Sequence, residues 1–379
     1  MNLLLVTQDF PPKTGGIETY SYELAKRFQN GVEDFAVIAP SHPQASVLDS
    51  NMPFKVLRIP VKDSLLPVFA PLAMLDLIGN SRFDVVLHAQ WQTAIASVLT
   101  KKLIGYPKKI YVSAHARELL IEPFEGKGGR ISKQLNFMRK KLLSAVDGFF
   151  PVSRYTADLL EKEGVSQKKI EVVKNGTDPQ FFTPKGTKAL AEKLKVEDKK
   201  VILSICRLVP RKGMDLVLHA LEKIVRKNPN VIYLVGGSGP DSFRLKELCD
   251  KLDLKEHVKF LGRIPEVELP YYYSLANVFV MPAKSDPPDV EGFGIVFLEA
   301  NACKTPVIGT QTGGIPDAIV NGETGLLVEE DNIEELTAAI WKLINNSNLA
   351  RRMGENGRKR IVSEINWDTS AQKILSKMK

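Results

Sequence analysis

Two glutamates flank seven residues in Glu291-Gly-Phe-Gly-Ile-Val-Phe-Leu-Glu299, a run that continues into Ala300-Asn-Ala-Cys-Lys-Thr-Pro-Val-Ile308. Gly292, Phe293 and Gly294 follow the first glutamate, the second lies in an apolar helical run, and Pro306 opens a β-like segment. At about 3.6 residues per turn the spacing covers a little over two helical turns. It predicts Glu291 at the mouth of a helix and Glu299 inside it. Carboxylates accept hydrogen bonds from sugar and ribose hydroxyls, and the free amides of a helix start suit a phosphate. An amphipathic helix with two solvated glutamates would produce the same spacing, so the weight falls on the company these residues keep.

Four kinds of loop keep that company. Asp9-Phe-Pro-Pro-Lys-Thr-Gly15-Gly16-Ile17-Glu18 joins a first strand to a helix predicted over 19–28. A glycine turn there lets a ligand approach the backbone and offers helix amides with their partial positive charge. The dinucleotide fingerprint G-x-G-x-x-G is absent from it. Val201-Ile-Leu-Ser-Ile-Cys-Arg207-Leu-Val-Pro-Arg211-Lys212-Gly213 delivers Arg207 to the C-terminal end of a strand, the ligand edge of open α/β sheets. Arg grips a phosphate bidentately and Lys acts as a point charge. His115, in Val112-Ser-Ala-His115-Ala116-Arg-Glu118, ends another strand; a single histidine there is more often structural. Glycine turns at Gly236-Gly237-Ser-Gly239-Pro240, Gly262-Arg263-Ile-Pro265 and Thr312-Gly313-Gly314-Ile-Pro-Asp317 follow later apolar runs.

The elements that must position these loops read as repeated α/β units. Short Val/Ile/Leu runs without polar alternation suit buried parallel strands. They fall at 2–7, 35–39, 56–59, 85–88, 110–113, 148–151 and 170–173, and the pattern restarts at 201–205, 231–235, 258–261, 278–281 and 306–309. The fold class is therefore α/β with two parallel-sheet domains: residues 1–182 and residues 183–365, with a final helix over 366–379 capped by Asp368 or Ser370. Tyr271, Tyr272 and Tyr273 read as helix packing.

The 379 residues carry 52 Lys/Arg against 44 Asp/Glu, and 44% are hydrophobic, an ordinary globular balance with length for two cores. Residues 101–150 hold eleven Lys/Arg and four Asp/Glu. Such a segment is either a solvated face or a surface for anionic lipid headgroups. Nucleic acid is not expected, because no binding motif accompanies the charge. Cys206, Cys249 and Cys303 are too scattered for a disulfide framework or zinc site and suggest a reducing compartment. The N-terminus lacks a signal-peptide pattern. The apolar stretch 65–78 is broken by Pro67, Pro71 and Asp76 and is too short to span a bilayer.

Taken in order, these motifs resemble those of retaining glycosyltransferases of family 4, which have the GT-B fold: two Rossmann-like domains with parallel sheets facing a central cleft. The likeness lies in P-P-x-x-G-G at Pro11–Gly16, R-x-x-x-x-K-G at Arg207–Gly213, and E-x(7)-E at Glu291–Glu299. It implies that the N-terminal domain binds the acceptor, the C-terminal domain binds a nucleotide-sugar donor, and the last helix crosses back to the first domain. It assigns Arg207 and Lys212 to the donor diphosphate, His115 to the transferred sugar, Glu291 to sugar hydroxyls and Glu299 to the ribose. Gly15, Gly16, Gly237, Arg263, Gly292, Phe293 and Gly294 complete the donor site. The sequence departs from the pattern in three places. Ala116 replaces a usual Gly and narrows the backbone approach, Asp317 replaces Glu, and Arg211 replaces an acidic residue and is expected to face solvent.

Met281-Pro-Ala-Lys and Asp289-Val-Glu-Gly-Phe-Gly294 resemble the phosphatidylinositol mannoside-type mannosyltransferases. That likeness implies GDP-mannose as donor, a lipid-linked or glycan acceptor, and a cytoplasmic protein peripheral at the membrane face. The alternatives are a UDP-sugar transferase (UDP-glucose or UDP-N-acetylglucosamine) and, more remotely, a non-catalytic scaffold that binds lipid or glycan. No cofactor is implied, since the nucleotide-sugar is a substrate.

The chain has no D-x-D motif, so the expected offset to diphosphate charge is Arg207, Lys212 and helix dipoles, with no metal required. Activity is therefore expected to survive EDTA. A strict need for added magnesium or manganese in a transfer assay would refute this.

Overall fold

The unbroken apolar runs are buried on both faces, as parallel strands between helices must be. Leu3, Leu4, Leu5 and Val6 are each 0% exposed, as are Val278, Phe279, Val280 and Met281. The structure, a computed structural model, describes residues 1–62, 65–67, 69, 70, 74, 83–121 and 130–379. Much of the apolar stretch 65–78, and 122–129 of the basic segment, lie outside the described residues. The chain forms two units, Met1–Asn175 with Trp367–Lys379, and Gly176–Asn366.

In the first unit, β1 (Asn2–Val6), β2 (Asp34–Pro40), β3 (Lys55–Ile59), β4 (Val85–His88), β5 (Lys109–Ala114) and β6 (Gly148–Pro151) form one parallel sheet in the order β3-β2-β1-β4-β5-β6. The order reverses between β1 and β4, so the loops after these strands diverge at the sheet's C-terminal edge. The strand expected at 170–173 reduces to a single bridge, Phe149 with Ile170. Its backbone follows β6 through Glu171 N–H to Phe149 O at 2.9 Å and Val173 N–H to Pro151 O at 3.0 Å, then leaves the unit.

In the second unit, β7 (Lys200–Ile205), β8 (Val231–Gly236), β9 (Val258–Gly262), β10 (Val278–Met281), β11 (Val307–Thr310) and β12 (Gly325–Val328) repeat the plan in the order β12-β11-β10-β7-β8-β9. Here the order reverses between β10 and β7. The sequence reading missed β12: Gly-Leu-Leu-Val is only four residues long and follows the Asn321-Gly322 turn, with little periodic signal.

The units divide seven residues earlier than expected, because 176–182 pack into the second one. Thr177 bridges to Asn366, and buried Phe182 lies edge-on to Tyr273 with ring centroids 6.1 Å apart. The last helix, Trp367–Met378, belongs to the first unit. Trp367 is 2% exposed and meets Tyr20 edge-on at 6.0 Å. The helix starts ahead of both residues expected to cap it. Asp368 accepts from Arg27 Nε at 2.6 Å, and Ser370 donates to the Lys174 carbonyl at 2.8 Å. Among the described residues, no helix is long and apolar enough to cross a membrane.

The basic segment is less uniformly exposed than its composition suggests. Arg139 is 6% exposed and grips Glu163 with two nitrogens, at 2.5 and 3.1 Å. Lys101 and Lys109 share Asp147, at 3.1 and 3.6 Å. Lys140 and Lys141 remain exposed.

Candidate active site

In the second unit, the loop after β7 and the loop after β10 touch backbone to backbone. Gly213 has φ +72°, a left-handed conformation suited to glycine, and a Cβ there would run into the Pro282 carbonyl. Lys284 N–H bonds the Arg211 carbonyl at 2.6 Å. This seam brings three charged side chains together. Lys212 Nζ and Arg211 Nη1 both bond Glu291 Oε2, the arginine at 3.1 Å. Arg211 is thus turned inward at 24% side-chain exposure, against the expectation that it faces solvent. Nothing in the local sequence pattern pairs it with a glutamate 80 positions later. The long-range seam does.

Burial by itself would raise the Glu291 carboxyl. The charges and hydrogen bonds of Lys212 and then Arg211 more than reverse this and hold it at about 2. Because its folded pKa lies below the unfolded value, this pairing stabilises the fold above the usual carboxylate pKa, and that contribution is lost only as pH falls toward 2. Glu291 is therefore a permanent anion under physiological conditions.

The turn after it is fixed from both sides. Gly314 N–H donates to the Glu291 carbonyl at 2.8 Å, and a Cβ on Gly313 would collide with that same carbonyl. The helix Ile295–Ala302 begins at Gly294, φ +89°, so Glu291 stands about one turn ahead of the helix rather than at its mouth. The Gly292–Gly294 backbone forms the lead-in, and the Phe293 side chain is buried in the core at 2% exposure. The helix has no side-chain cap on its first amides. Glu330 ties the flanking loops together, accepting from Ser285 N–H at 2.5 Å and from Thr312 Oγ1 at 2.9 Å; sequence reading gave no hint of it.

The remaining sequence-derived residues line nearby strand ends. Gly237, φ +117°, leaves no room for a Cβ against the Cys206 carbonyl, and its N–H bonds Gly262 O at 2.7 Å. Arg207 and Arg263 are exposed, and among the described residues neither joins the Lys212–Glu291 group. Glu299, inside the helix as expected, accepts from Tyr273 Oη at 2.7 Å.

In the first unit, Gly16 opens the helix Gly16–Phe28, and Gly15 precedes it with no side-chain cap. A Cβ on Gly15 would strike the Glu18 carboxylate. The same helix presents Tyr20, whose ring meets His115 edge-on at 4.7 Å and whose hydroxyl pairs with Ser113 Oγ at 2.6 Å. Ala116 turns the chain at φ 82°, ψ −60°, a strained conformation costing a non-glycine residue about 1–3 kcal/mol. The chain thus keeps a glycine path with an alanine. Glu118 holds this turn, accepting His115 N–H at 2.6 Å through Oε1.

Burial lowers His115 to about 4, though a bond to the Ala89 backbone opposes this, so the imidazole is neutral at physiological pH. Its buried Nε2 and the Glu118 Oε2 have no hydrogen-bond partner among the described residues. Burial raises Glu118 to about 7 against the pull of the His115 N–H, with Asp9 adding to the rise. The sequence pattern alone assigns Glu118 no role. Among the described residues, no group of three or more His, Cys, Asp or Glu side chains could hold a metal ion.

Each half is thus a Rossmann-like domain, with its glycine loops and charged side chains gathered at the sheet's C-terminal edge. Together these halves define a GT-B glycosyltransferase. Residues 14–181 match the Glycosyltransferase Family 4 model, and residues 187–360 match that of Glycosyl transferases group 1. The N-terminal half thus carries a Glycosyltransferase Family 4 domain and the C-terminal half a Glycosyl transferases group 1 domain, which makes the chain a glycosyltransferase.

It is 29% identical over 380 residues to the GDP-mannose-dependent alpha-(1-6)-phosphatidylinositol monomannoside mannosyltransferase of Mycolicibacterium smegmatis, covering 98% of this chain and 97% of that one. A GDP-mannose-dependent monoacylated alpha-(1-6)-phosphatidylinositol monomannoside mannosyltransferase of Corynebacterium glutamicum is 29% identical, with 98% and 96% covered. Among solved structures, Anabaena Alr3699/HepE in complex with UDP superposes with a TM-score of 0.84 at 18% identity, covering 100% of this chain and 99% of that one.

Because Lys212 and Arg211 share one carboxylate oxygen, their replacement is expected to be non-additive. Lys212→Ala should lower kcat/KM by about 1.5–3 kcal/mol, the worth of a charge-assisted hydrogen bond, or roughly ten- to a hundredfold. Arg211→Ala should cost less, and the double variant more than the sum, since Glu291 is then left buried without a cation. Steady-state kinetics on the three variants check this; a Lys212→Ala protein with wild-type kcat/KM would reject the assignment.

Proposed function

We propose that this glycosyltransferase moves an α-mannosyl group from GDP-mannose to a lipid-linked or glycan acceptor, with retention of the anomeric configuration. The observation that carries this is end-to-end similarity to relatives named as GDP-mannose-dependent mannosyltransferases, together with the Asp289-Val-Glu-Gly-Phe-Gly294 run. The solved UDP complex shares the fold at 18% identity, which leaves the base open to test.

The charges suit the reaction. As the sugar C1–O bond to the diphosphate breaks, negative charge grows on the leaving oxygen, and preorganised cations stabilise it without reorganisation. Lys212, Arg211 and Arg207 supply them, so this reading needs no metal. The acceptor hydroxyl attacks C1 from the face the diphosphate leaves, and its proton passes to the leaving phosphate. Glu291, always ionised, accepts from the 3- and 4-hydroxyls. Neutral His115, its one ring proton held by the Ala89 backbone, can accept a hydrogen bond from a sugar hydroxyl at Nε2 without bringing a positive charge.

Donor competition among GDP-mannose, UDP-glucose and UDP-N-acetylglucosamine should favour GDP-mannose, and NMR of the product should show an α-linkage. Preference for a UDP-sugar would reassign the donor; a β-linked product would overturn retention.

A membrane-facing acceptor also fits the first unit, where Phe137 and Met138 are 66% and 59% exposed beside Lys140 and Lys141. Buried Arg139 has no part in this. Lys140→Glu with Lys141→Glu should reduce sedimentation with anionic vesicles at low salt while leaving donor binding intact. A wild-type protein that ignores such vesicles would show this face to be merely solvated.

A further inference from the structure

The three consecutive tyrosines do not share one role. Tyr271 is 42% exposed, whereas Tyr273 is 0% exposed. Tyr273 lies on the helix Leu269–Leu275 and reaches across to Glu299 on Ile295–Ala302, donating its hydroxyl to Oε2 at 2.7 Å. Its ring is clamped edge-on by Phe182 at 6.1 Å and Phe279 at 5.6 Å. Phe279 in turn meets Phe297, on Glu299's own helix, at 5.7 Å. The Tyr273 carbonyl accepts from buried Thr305 Oγ1 at 2.5 Å. The phenol oxygen therefore has one position, set by packed aromatic rings. Glu299 Oε1 accepts a hydrogen bond from none of the described residues.

A carboxylate held at one oxygen by a fixed donor has a fixed plane. Its other oxygen, and the remaining lone pair on the first, then point in set directions, as when an outer hydrogen bond aims a metal ligand. Vicinal ribose hydroxyls need such a pair of acceptor directions. We propose that Tyr273 is a positioning residue for the nucleotide: its hydroxyl orients the Glu299 carboxylate to receive the 2′- and 3′-hydroxyls of the donor's ribose. This rests on the assignment of Glu299 to the ribose. It is independent of the base, and so applies to a GDP- or a UDP-linked donor.

The electrostatics around Glu299 sharpen the test. Burial pushes its carboxyl up to about 7; the Tyr273 hydrogen bond pulls it down, and Glu266 adds to the rise. The other titratable neighbours are neutral near pH 7. Burial pushes the Cys303 thiol up to about 12 and Cys206 up to about 11, and raises Tyr273 itself. Arg358 and Lys185 act on Cys303. Ribose hydroxyls donate best to the ionised carboxylate. Ribose recognition should therefore strengthen as pH rises through about 7, and loss of the phenol should move that midpoint upward.

The experiment compares GDP with 2′-deoxy-GDP, and UDP with 2′-deoxy-UDP, by isothermal titration from pH 5.5 to 9. The proteins are wild type, Tyr273→Phe and Glu299→Gln. The ribo-to-deoxy affinity ratio cancels the diphosphate's own titration. It also cancels any general loosening of the fold, which would weaken both nucleotides alike. Wild type is expected to prefer the ribonucleotide on the order of tenfold at pH 8, since a site built for a hydroxyl penalises its absence, and to lose that preference at pH 5.5. Tyr273→Phe should cut the pH 8 ratio severalfold and shift its midpoint upward; Glu299→Gln should abolish the ratio at all pH values. If Glu299→Gln loses the ratio but Tyr273→Phe keeps both ratio and midpoint, the positioning role is wrong and the ribose assignment stands. If wild type does not discriminate, or Glu299→Gln still does, both are overturned.

Discussion

The second domain is organised around one shared oxygen. Glu291 Oε2 takes Lys212 and Arg211 together, and it can do so because the loops after β7 and β10 run into contact where the strand order reverses. The two cations keep the buried glutamate ionised against the pull of its burial. Gly213 permits the seam and Gly313 closes it over the Glu291 backbone, both at positions where a Cβ meets a carbonyl. The cluster carries excess positive charge, which a diphosphate is suited to meet.

The first domain solves a different problem with a similar sheet. Its histidine, His115, is kept neutral and fixed by burial against Tyr20. The means is a strained turn at Ala116, held by the Glu118 carboxylate, with Trp367 of the returning helix packed behind Tyr20. Strain here is local and is maintained by the packing around it. The second domain also holds a carboxyl near neutrality: Glu299, like Glu118 in the first, is raised to about 7 by burial, whereas Glu291 is held at about 2. Carboxylates that are alike in sequence are thus divided by environment into a fixed anion and groups poised to titrate.

Most of the architecture was legible in the sequence, because buried parallel strands leave unbroken Val/Ile/Leu runs and because glycine turns must follow them at the ligand edge. The runs at 201–205 and 278–281 needed little adjustment. The misses have physical causes. The strand Gly325–Val328 is too short to carry a period, and Ile170–Val173 has a strand's composition but only one bridge. Residues 176–182 read as the end of the first domain yet join the second unit, because Phe182 finds an aromatic pocket there.

By itself, the sequence determined that the chain has two α/β domains, where their ligand loops fall, and that the charged residues of those loops follow a glycosyltransferase order. These are local properties, set by side-chain type and spacing. Only the tertiary structure decided which charges meet. Arg211 reads as a solvent-facing residue until a glutamate 80 positions away arrives beside it. Arg139 reads as one of a basic run until Glu163 is found gripping it. Tyr273 reads as packing until its hydroxyl proves to be within 2.7 Å of Glu299. Partnership between residues distant in sequence depends on how loops and helices cross, and no spacing along the chain encodes that crossing.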